Sequence, residues 1–188
     1  MKRSLILFLF ALCFSFQIQA QKKNKWLNDS IVWRPDYKLV QEDFKGKIKS
    51  GAAGMAVTYI LFTPAEVDGQ IVYRIEAIFS KTKSALRNES KFMINHEQKH
   101  FDITEIHARK FRKKLAETNF LKVKNTSEKI TDIYMDVCKE WNKEQEKYDK
   151  ETEHSVNLAK QDLWDEKIVK ELEELSAYAE IEVNIVKK

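Results

Sequence analysis

The sequence predicts an α+β fold in which a small antiparallel or mixed sheet packs on a long helix and on further helices toward the carboxyl terminus. Three observations support this prediction. Val, Ile, Tyr and Phe are concentrated in two short stretches before residue 80, which is typical of strands. Apolar residues recur at helical spacing from residue 84 onward. Gly and Pro, which interrupt regular elements, are scarce, and three of the four glycines lie before residue 55.

The strands are predicted mainly in the amino-terminal half. The composition of residues 27–54 indicates an extended entry segment with one short strand near residues 37–40. Residues 55–62 and 71–79 are rich in β-branched and aromatic side chains, and they flank residues 64–70, which contain an Asp-Gly pair. This arrangement predicts a hairpin with a longer loop.

Helical tracts fill most of the carboxyl-terminal half. Apolar side chains fall on one side of residues 84–118, which predicts one long helix or one helix broken once. A second tract is predicted over residues 127–148, with a bend near Thr152. A third contains the apolar positions of residues 163–175. Residues 179–185 alternate between apolar and polar side chains, so the chain is predicted to end as a strand.

Residues 1–20 have the pattern of a secretory signal peptide. Two basic residues form a short positive end, residues 5–16 are a nearly unbroken apolar run, and Ala20 offers a small residue for cleavage. The apolar run is shorter than the roughly 20 residues that cross a bilayer. We therefore expect an exported protein of the periplasm, cell envelope or extracellular space. Residues 21–188 are expected to form one domain with no stable membrane span.

The charge of the chain argues against nucleic acid as a partner. The full sequence carries 33 basic and 29 acidic residues, and two of the basic residues lie in residues 1–20, which leaves 31 against 29. A nearly balanced chain lacks the basic surface that binds phosphate backbones. Removal of residues 1–20 also leaves Cys138 as the one cysteine. This argues against a disulfide framework and predicts a buried structural thiol.

The motif His-Glu-x-x-His begins at His96 and ends at His100, inside the first predicted helix. A helix places residues i and i+4 one turn apart on the same face, so the two imidazoles can bind one metal ion. Zn²⁺ suits them because it accepts neutral nitrogen ligands in tetrahedral geometry and keeps one position for water in catalytic sites. Glu97 would lie beside the metal without binding it. We predict that it acts as the general base toward zinc-bound water and passes the proton to the leaving amine.

A catalytic zinc site of this type needs a third protein ligand. His107 lies about 10.5 Å beyond His100 along an unbroken helix, so it cannot bind the same ion and is expected on the helix surface. His154 and Glu151 share one face of a later helical tract, and either would complete a known catalytic zinc set. We favour His154 as the third ligand and keep Glu151 as the alternative.

Two neighbours of these candidates have predicted supporting roles. Asp149 is placed to orient a ligating imidazole through a hydrogen bond. Tyr148 is placed to donate a hydrogen bond to the oxyanion that develops during hydrolysis. The alternative interpretation is that both belong to a solvated, charged helix face with one packed tyrosine.

Residues along most of the chain match a known pattern in the same order. Apart from the motif and its extension to Ile103, they are Trp33, Leu39, residues 43–46, Phe79, Ser80, Glu105, Ala108, Arg109, Tyr148, Asp149, Thr152 and His154. In these features the chain resembles a bacterial secreted family of unknown function that is described as zinc-dependent proteases of the zincin type. It departs from the family pattern at Ser155, where Gly is usual, and at Lys99, where a smaller residue is common. The resemblance implies a zincin-like fold and metal-dependent peptide hydrolysis, but no substrate.

The sequence thus predicts a secreted or periplasmic zinc-dependent metallopeptidase. His96, His100 and His154 would hold Zn²⁺, and Glu97 would activate water against a peptide carbonyl. The expected substrate is a peptide or protein, a cell-wall peptide being one candidate, and a hairpin strand could align it by backbone pairing. The alternative from another class is a non-catalytic envelope protein with a structural or partner-binding zinc site. Four protein ligands around the metal would favour that alternative.

Overall fold

A computed structural model describes residues 29–48, 53–67, 70–88 and 90–185. Within these residues the architecture is α+β, with small antiparallel sheets packed against three long helices, which confirms the predicted fold class to that extent. The signal peptide predicted for residues 1–20 lies outside the described residues.

The central strand of the main sheet is β4 (Gln70–Ser80). Strand β3 (Thr58–Val67) pairs antiparallel with β4 along its whole length. On the opposite edge of β4, β1 (Ser30–Val32) pairs with its end and β6 (Glu182–Asn184) with its beginning, both antiparallel. The predicted terminal strand is therefore confirmed. It returns the carboxyl-terminal segment to the sheet.

The predicted hairpin is confirmed, but its strands are longer than expected. Pairing continues to Val67 opposite Gln70, so only residues 68–69 connect the strands, and these lie outside the described residues. Pro64, expected in the loop, lies within β3 opposite Tyr73. Because β3 is an edge strand, where an N–H can be missing without breaking a central ladder, proline is tolerated there.

The strand predicted near residues 37–40 is wrong. The backbone of this segment binds side chains instead of a neighbouring strand. The Leu39 amide donates to Gln98 Oε1 at 2.8 Å, and the Val40 amide donates to Asp43 Oδ2 at 3.1 Å. These contacts satisfy backbone groups that a strand would pair in a ladder. The first strand of the described residues is β1, earlier in the chain.

Three helices follow the sheet. Helix α1 is Lys91–Glu117, α2 is Thr126–Thr152 and α3 is Leu158–Glu174. The predicted start of the first helix was too early, because β5 (Ala85–Leu86) pairs with β2 (Gly54–Met55) before α1 begins. The predicted bend near Thr152 coincides with the end of α2. No helix in the described ranges combines the length and apolar character needed to cross a membrane.

Helix α1 is the centre of the molecule and is buried along much of its length. It packs on the main sheet with one side and on α2 and α3 with others. Its long polar side chains are buried in pairs. Arg112, 1% exposed, donates to Glu105 and to the main-chain oxygens of Ile75 and Tyr178. These hydrogen bonds connect α1 to the sheet and to the segment after α3. They fix the position of α1, which carries the residues of the candidate site in its amino-terminal half.

Candidate metal centre

The amino-terminal half of α1 and the last turns of α2 bring three potential metal ligands together. Nε2 of His96 and Nε2 of His100 lie 3.2 Å apart, and they lie 3.1 Å and 3.0 Å from Oδ1 of Asp149. In a tetrahedral zinc site the ligand atoms are about 3.3 Å apart, as follows from bond lengths of about 2.0 Å. The three side chains therefore fit a small tetrahedral metal ion.

Hydrogen bonds behind the imidazoles determine which ring nitrogen faces this group. Nδ1 of His96 lies 3.2 Å from Gln161 Oε1, and Nδ1 of His100 lies 2.6 Å from Gln145 Oε1. The amide nitrogens fix the orientation of both glutamine side chains. Nε2 of Gln161 donates to Asp165 at 2.7 Å, and Nε2 of Gln145 donates to the His100 carbonyl at 2.9 Å. The amide oxygens only accept, so each Nδ1 carries the hydrogen.

With hydrogen on Nδ1, a neutral imidazole presents a lone pair at Nε2. Two such lone pairs and one carboxylate oxygen then converge within 3.2 Å with no hydrogen between them. Three electron-rich atoms at this distance repel each other unless a cation lies between them. The hydrogen-bond network is therefore compatible with a metal ion at this position.

In the absence of a metal, a proton can occupy the same position. Burial lowers the pKa of His100, but the hydrogen bond with Asp149 and the negative charges of Glu97 and Asp149 together outweigh it, and the net direction is upward. Burial raises the pKa of Asp149, but its hydrogen bonds with His100 and His96 hold that pKa well below its usual range. A metal ion that binds here would have to displace a proton.

Glu97 lies beside the three ligand atoms and is 3% exposed. Strand β2 and the residue after it hold its carboxylate. The Ala56 amide donates to Glu97 Oε2 at 2.6 Å, and a Cβ on Gly54 would lie 2.4 Å from Glu97 Oε1, so a larger residue at position 54 would displace the carboxylate. Burial raises the pKa of Glu97, although the charges of His100 and His96 oppose this shift. A raised pKa suits a carboxylate that accepts protons near neutral pH.

His154, the third ligand favoured from the sequence, lies at the rim of a cavity of about 480 Å³ that opens onto the three ligand atoms and Glu97. Its Nδ1 is 3.3 Å from Asp149 Oδ1, and its side chain is 77% exposed. Among the described residues, it is not a member of the compact group of potential ligands. Its role as a ligand stays a prediction.

Two other predicted site residues make contacts away from this cavity. Glu151 accepts a hydrogen bond from Trp164 Nε1 at 2.8 Å. The Tyr148 hydroxyl donates to the His96 carbonyl at 3.2 Å and accepts from Gln161 at 2.8 Å, while its ring stacks on the His96 ring at 4.6 Å. Neither residue lines the cavity. In this arrangement Tyr148 supports an imidazole, and the predicted oxyanion role of Tyr148 and ligand role of Glu151 remain untested.

Three residues of this site have roles in the structure that were not predicted from the sequence. Asp149 was expected behind an imidazole, but its Oδ1 faces both Nε2 atoms. Gln145 and Gln161 are not among the residues predicted from the sequence. The signal available for Gln145 was its spacing of four residues from Asp149, which places both on one face of α2. Gln161 lies on a different helix, and no local spacing relates it to His96.

The expectation that His107 lies on the helix surface is wrong. Its side chain is 1% exposed, and its Nε2 lies 2.8 Å from Glu144 Oε2. Lys110 and Lys167 also bind Glu144, so charged side chains fill the place where the three helices meet. The face of α1 that carries His107 is buried because charged residues of the neighbouring helices, Glu144 and Lys167, pair there.

The turn after α2 has an unusual backbone. Glu153, His154 and Ser155 have φ angles of 50°, 52° and 76°, all in the left-handed region. Side chains with a Cβ are disfavoured there, and Gly is not. This explains why a glycine at position 155 would fit the turn that carries His154 to the rim of the cavity.

Ser155→Gly is expected to raise the free energy of unfolding by up to about 1 kcal/mol, because Gly relieves the left-handed strain but adds freedom to the unfolded chain. Urea unfolding with an unchanged m value measures it. As a control, Ser127→Gly in the first turn of α2 should lower stability by some tenths of a kcal/mol to about 1 kcal/mol. A loss of stability in Ser155→Gly would contradict the left-handed turn.

The fold and the site define a class: an α+β protein with a candidate His-His-Asp metal centre and a buried glutamate beside it. Residues 33–155, well over half of the chain, match the model of DUF922, a family described as bacterial protein of unknown function. The chain belongs to this family. No curated protein and no solved structure matches the chain. The matched region contains the three potential ligands and Glu97.

Proposed function

We propose that this protein is a zinc-dependent metallopeptidase of the zincin type that hydrolyses peptide bonds in an exported compartment. The observation that carries the proposal is the convergence of His96 Nε2, His100 Nε2 and Asp149 Oδ1 beside the buried carboxylate of Glu97. Two imidazoles and one carboxylate form a ligand set of catalytic zinc sites, and three protein ligands leave one position for water or substrate. The motif helix packed on an antiparallel sheet supports the zincin assignment.

The reaction divides between the metal and the chain. Bound Zn²⁺ would lower the pKa of water and polarise a substrate carbonyl. Glu97, held by the Ala56 amide and by the close approach of Gly54, accepts the proton of the attacking water and delivers it to the leaving amine. Gln161 and Gln145 hold the imidazoles by Nδ1, so that Nε2 faces the cavity. Each of these residues is already positioned before substrate arrives.

The substrate is proposed to be a peptide or protein outside the cytoplasm. The signal-peptide pattern of residues 1–20 supports export, and the nearly balanced charge of residues 21–188 supports neither nucleic acid nor another polyanion as a partner. A cell-wall peptide remains one candidate within this class.

A second candidate function is a non-catalytic protein with a closed zinc site. The position of His154 favours it, because Nδ1 lies 3.3 Å from Asp149 Oδ1 at the rim of the same cavity. If the exposed imidazole turned toward the other three ligands, the ion would have four protein ligands. Structural zinc sites have this closed coordination.

The zinc-loaded protein is expected to bind about one Zn²⁺ per chain and to hydrolyse a denatured protein such as reduced casein. Removal of zinc with a chelator should abolish hydrolysis, because Glu97 alone cannot activate water, and added zinc should restore it. Metal analysis and a labelled-casein assay measure both quantities. Hydrolysis that persists without metal, or a protein that retains no metal after loading, would contradict the proposal.

Asp149→Ala is expected to weaken zinc binding more than His154→Ala or Glu151→Gln does. Asp149 Oδ1 lies within 3.1 Å of both Nε2 atoms, whereas Glu151 binds Trp164. Loss of a residue that only supports a ligand costs about 10-fold to 100-fold in affinity, and loss of a ligand should cost more. Competition with a fluorescent chelator measures the Kd. If His154→Ala equals Asp149→Ala, His154 is also a ligand and the closed-site candidate gains.

A further inference from the structure

The cleft beside the three ligand atoms has an apolar wall. Met55, Met93 and Val156 line the cavity of about 480 Å³ together with the metal group. Two of these side chains reach the solvent, since Met55 is 42% and Val156 is 74% exposed. Exposed apolar surface at the mouth of a site is stabilised when an apolar group of a ligand covers it. Methionine side chains are flexible, so the wall can adapt to side chains of different shape.

The charged residues that line the cleft are acidic. Glu97, Asp149 and Glu153 line the cavity, and no Lys or Arg is among the described residues that line this cavity or the adjoining one. The chain as a whole has 33 of these basic residues. A substrate carboxylate that lies away from the metal position would therefore lose water in the cleft without gaining an ion pair from a side chain, which is unfavourable.

A second cavity extends the cleft next to His100. This cavity of about 290 Å³ shares Met55, Ala56 and His100 with the first, so the two cavities adjoin at these residues. Trp141 lines the second cavity and supplies a large apolar surface. A ligand that fills both cavities has to extend past His100 in two directions. This shape suits an internal segment of a chain better than a single terminal residue.

We propose that the substrate is an extended polypeptide segment that places an uncharged apolar side chain against Met93 and Val156. This inference rests on the proposed peptidase function and names its substrate class. It follows from the apolar wall, the acidic lining and the continuation of the cleft past His100. Acidic peptides, including those with several free carboxylates, are then poor substrates.

The inference is tested by binding, without hydrolysis. Three fluorescent ten-residue peptides differ only at one central position, which is Leu, Glu or Lys in a Ser-Ala background. The zinc-loaded Glu97→Gln protein is expected to bind the Leu peptide at least about tenfold more tightly than the Glu peptide, because the Leu side chain gains by leaving water and the Glu carboxylate does not. The Lys peptide is expected between the two, because its ammonium group can pair with Glu153 at the cleft. Fluorescence anisotropy measures the three Kd values. Equal or weaker binding of the Leu peptide, or no binding of any peptide, overturns the inference.

A matched pair of variants, each made in the zinc-loaded Glu97→Gln protein, locates the preference. Val156→Lys should reduce the ratio of the Kd of the Glu peptide to the Kd of the Leu peptide by about tenfold, because the new ammonium group would pair with the Glu side chain. Val169→Lys is the control, since Val169 is 53% exposed on α3 and lines neither cavity. An unchanged preference in Val156→Lys, or the same change in both variants, overturns the assignment.

The experiments distinguish a failure of the proposed peptidase function from a failure of the proposed substrate class. The peptidase function fails if casein hydrolysis does not depend on zinc. The substrate class fails if hydrolysis depends on zinc, but the Leu peptide is not preferred in the binding assay.

Discussion

Glu97→Gln is expected to reduce hydrolysis by about 10²-fold to 10⁴-fold, the usual contribution of a general base. The amide keeps the size of the side chain, and its oxygen can still accept the hydrogen bond from the Ala56 amide. It cannot accept a proton from water. Glu97 is not one of the three convergent ligand atoms, so zinc content should stay at about one ion per chain. Steady-state hydrolysis and metal analysis of the same sample measure both effects.

The control for this variant is Glu140→Gln, which makes the same chemical change at a residue that is 53% exposed. Glu140 lies on α2, more than two helical turns before Asp149. The control should hydrolyse casein at the wild-type rate. If Glu97→Gln with full zinc cleaves as fast as wild type, the proposed mechanism is wrong. The activity would then come from another residue or a contaminating protease, and the non-catalytic candidate would be favoured.

The combined change His96→Ala and His100→Ala is expected to abolish zinc binding. It removes two of the three convergent ligand atoms and leaves one carboxylate, which does not hold a zinc ion alone. Metal analysis after zinc loading and dialysis should therefore fall from about one ion per chain to none. Circular dichroism is needed alongside, because the His96 ring packs on Tyr148 and its loss leaves a small cavity.

His107→Gln is the matched control for the histidine variant. His107 is buried against Glu144, so His107→Ala would remove a buried hydrogen bond. A loss of zinc in that variant could then result from lower stability and not from a lost ligand. The glutamine amide can still donate to Glu144. Zinc binding should be unchanged in this control. Zinc retained by the double alanine variant would show that the metal binds elsewhere.

The chemistry of α1 could be predicted from the sequence because it depends on local spacing. His96 and His100 are four residues apart, and any helix through them brings the two rings together, here with centroids 4.8 Å apart. Glu97 follows His96 directly, so its place beside the pair is determined as well. The hairpin and the final strand could be predicted for the same reason, since β-branched composition, a turn pair and alternation are all properties of neighbouring residues.

Predictions that depended on a distant partner were less successful. The composition of residues 27–54 predicted a short strand near residues 37–40, but Gln98, on α1, accepts the Leu39 amide hydrogen. His107 was expected on the helix surface, but it is 1% exposed and binds Glu144 on α2. In both cases the deciding contact joins residues that are far apart in the chain, and no periodicity records it.

The sequence by itself thus determined that two imidazoles and a carboxylate share one turn of a helix. Only the tertiary structure decided what completes that site. Asp149 reaches the imidazoles because α2 packs on α1, Gln161 orients His96 from α3, and Gly54 admits the Glu97 carboxylate from the sheet side. Side-chain directions within one helix follow from its regular geometry. Contacts between helices and strands follow from how whole faces pack, and that depends on every residue of those faces at once.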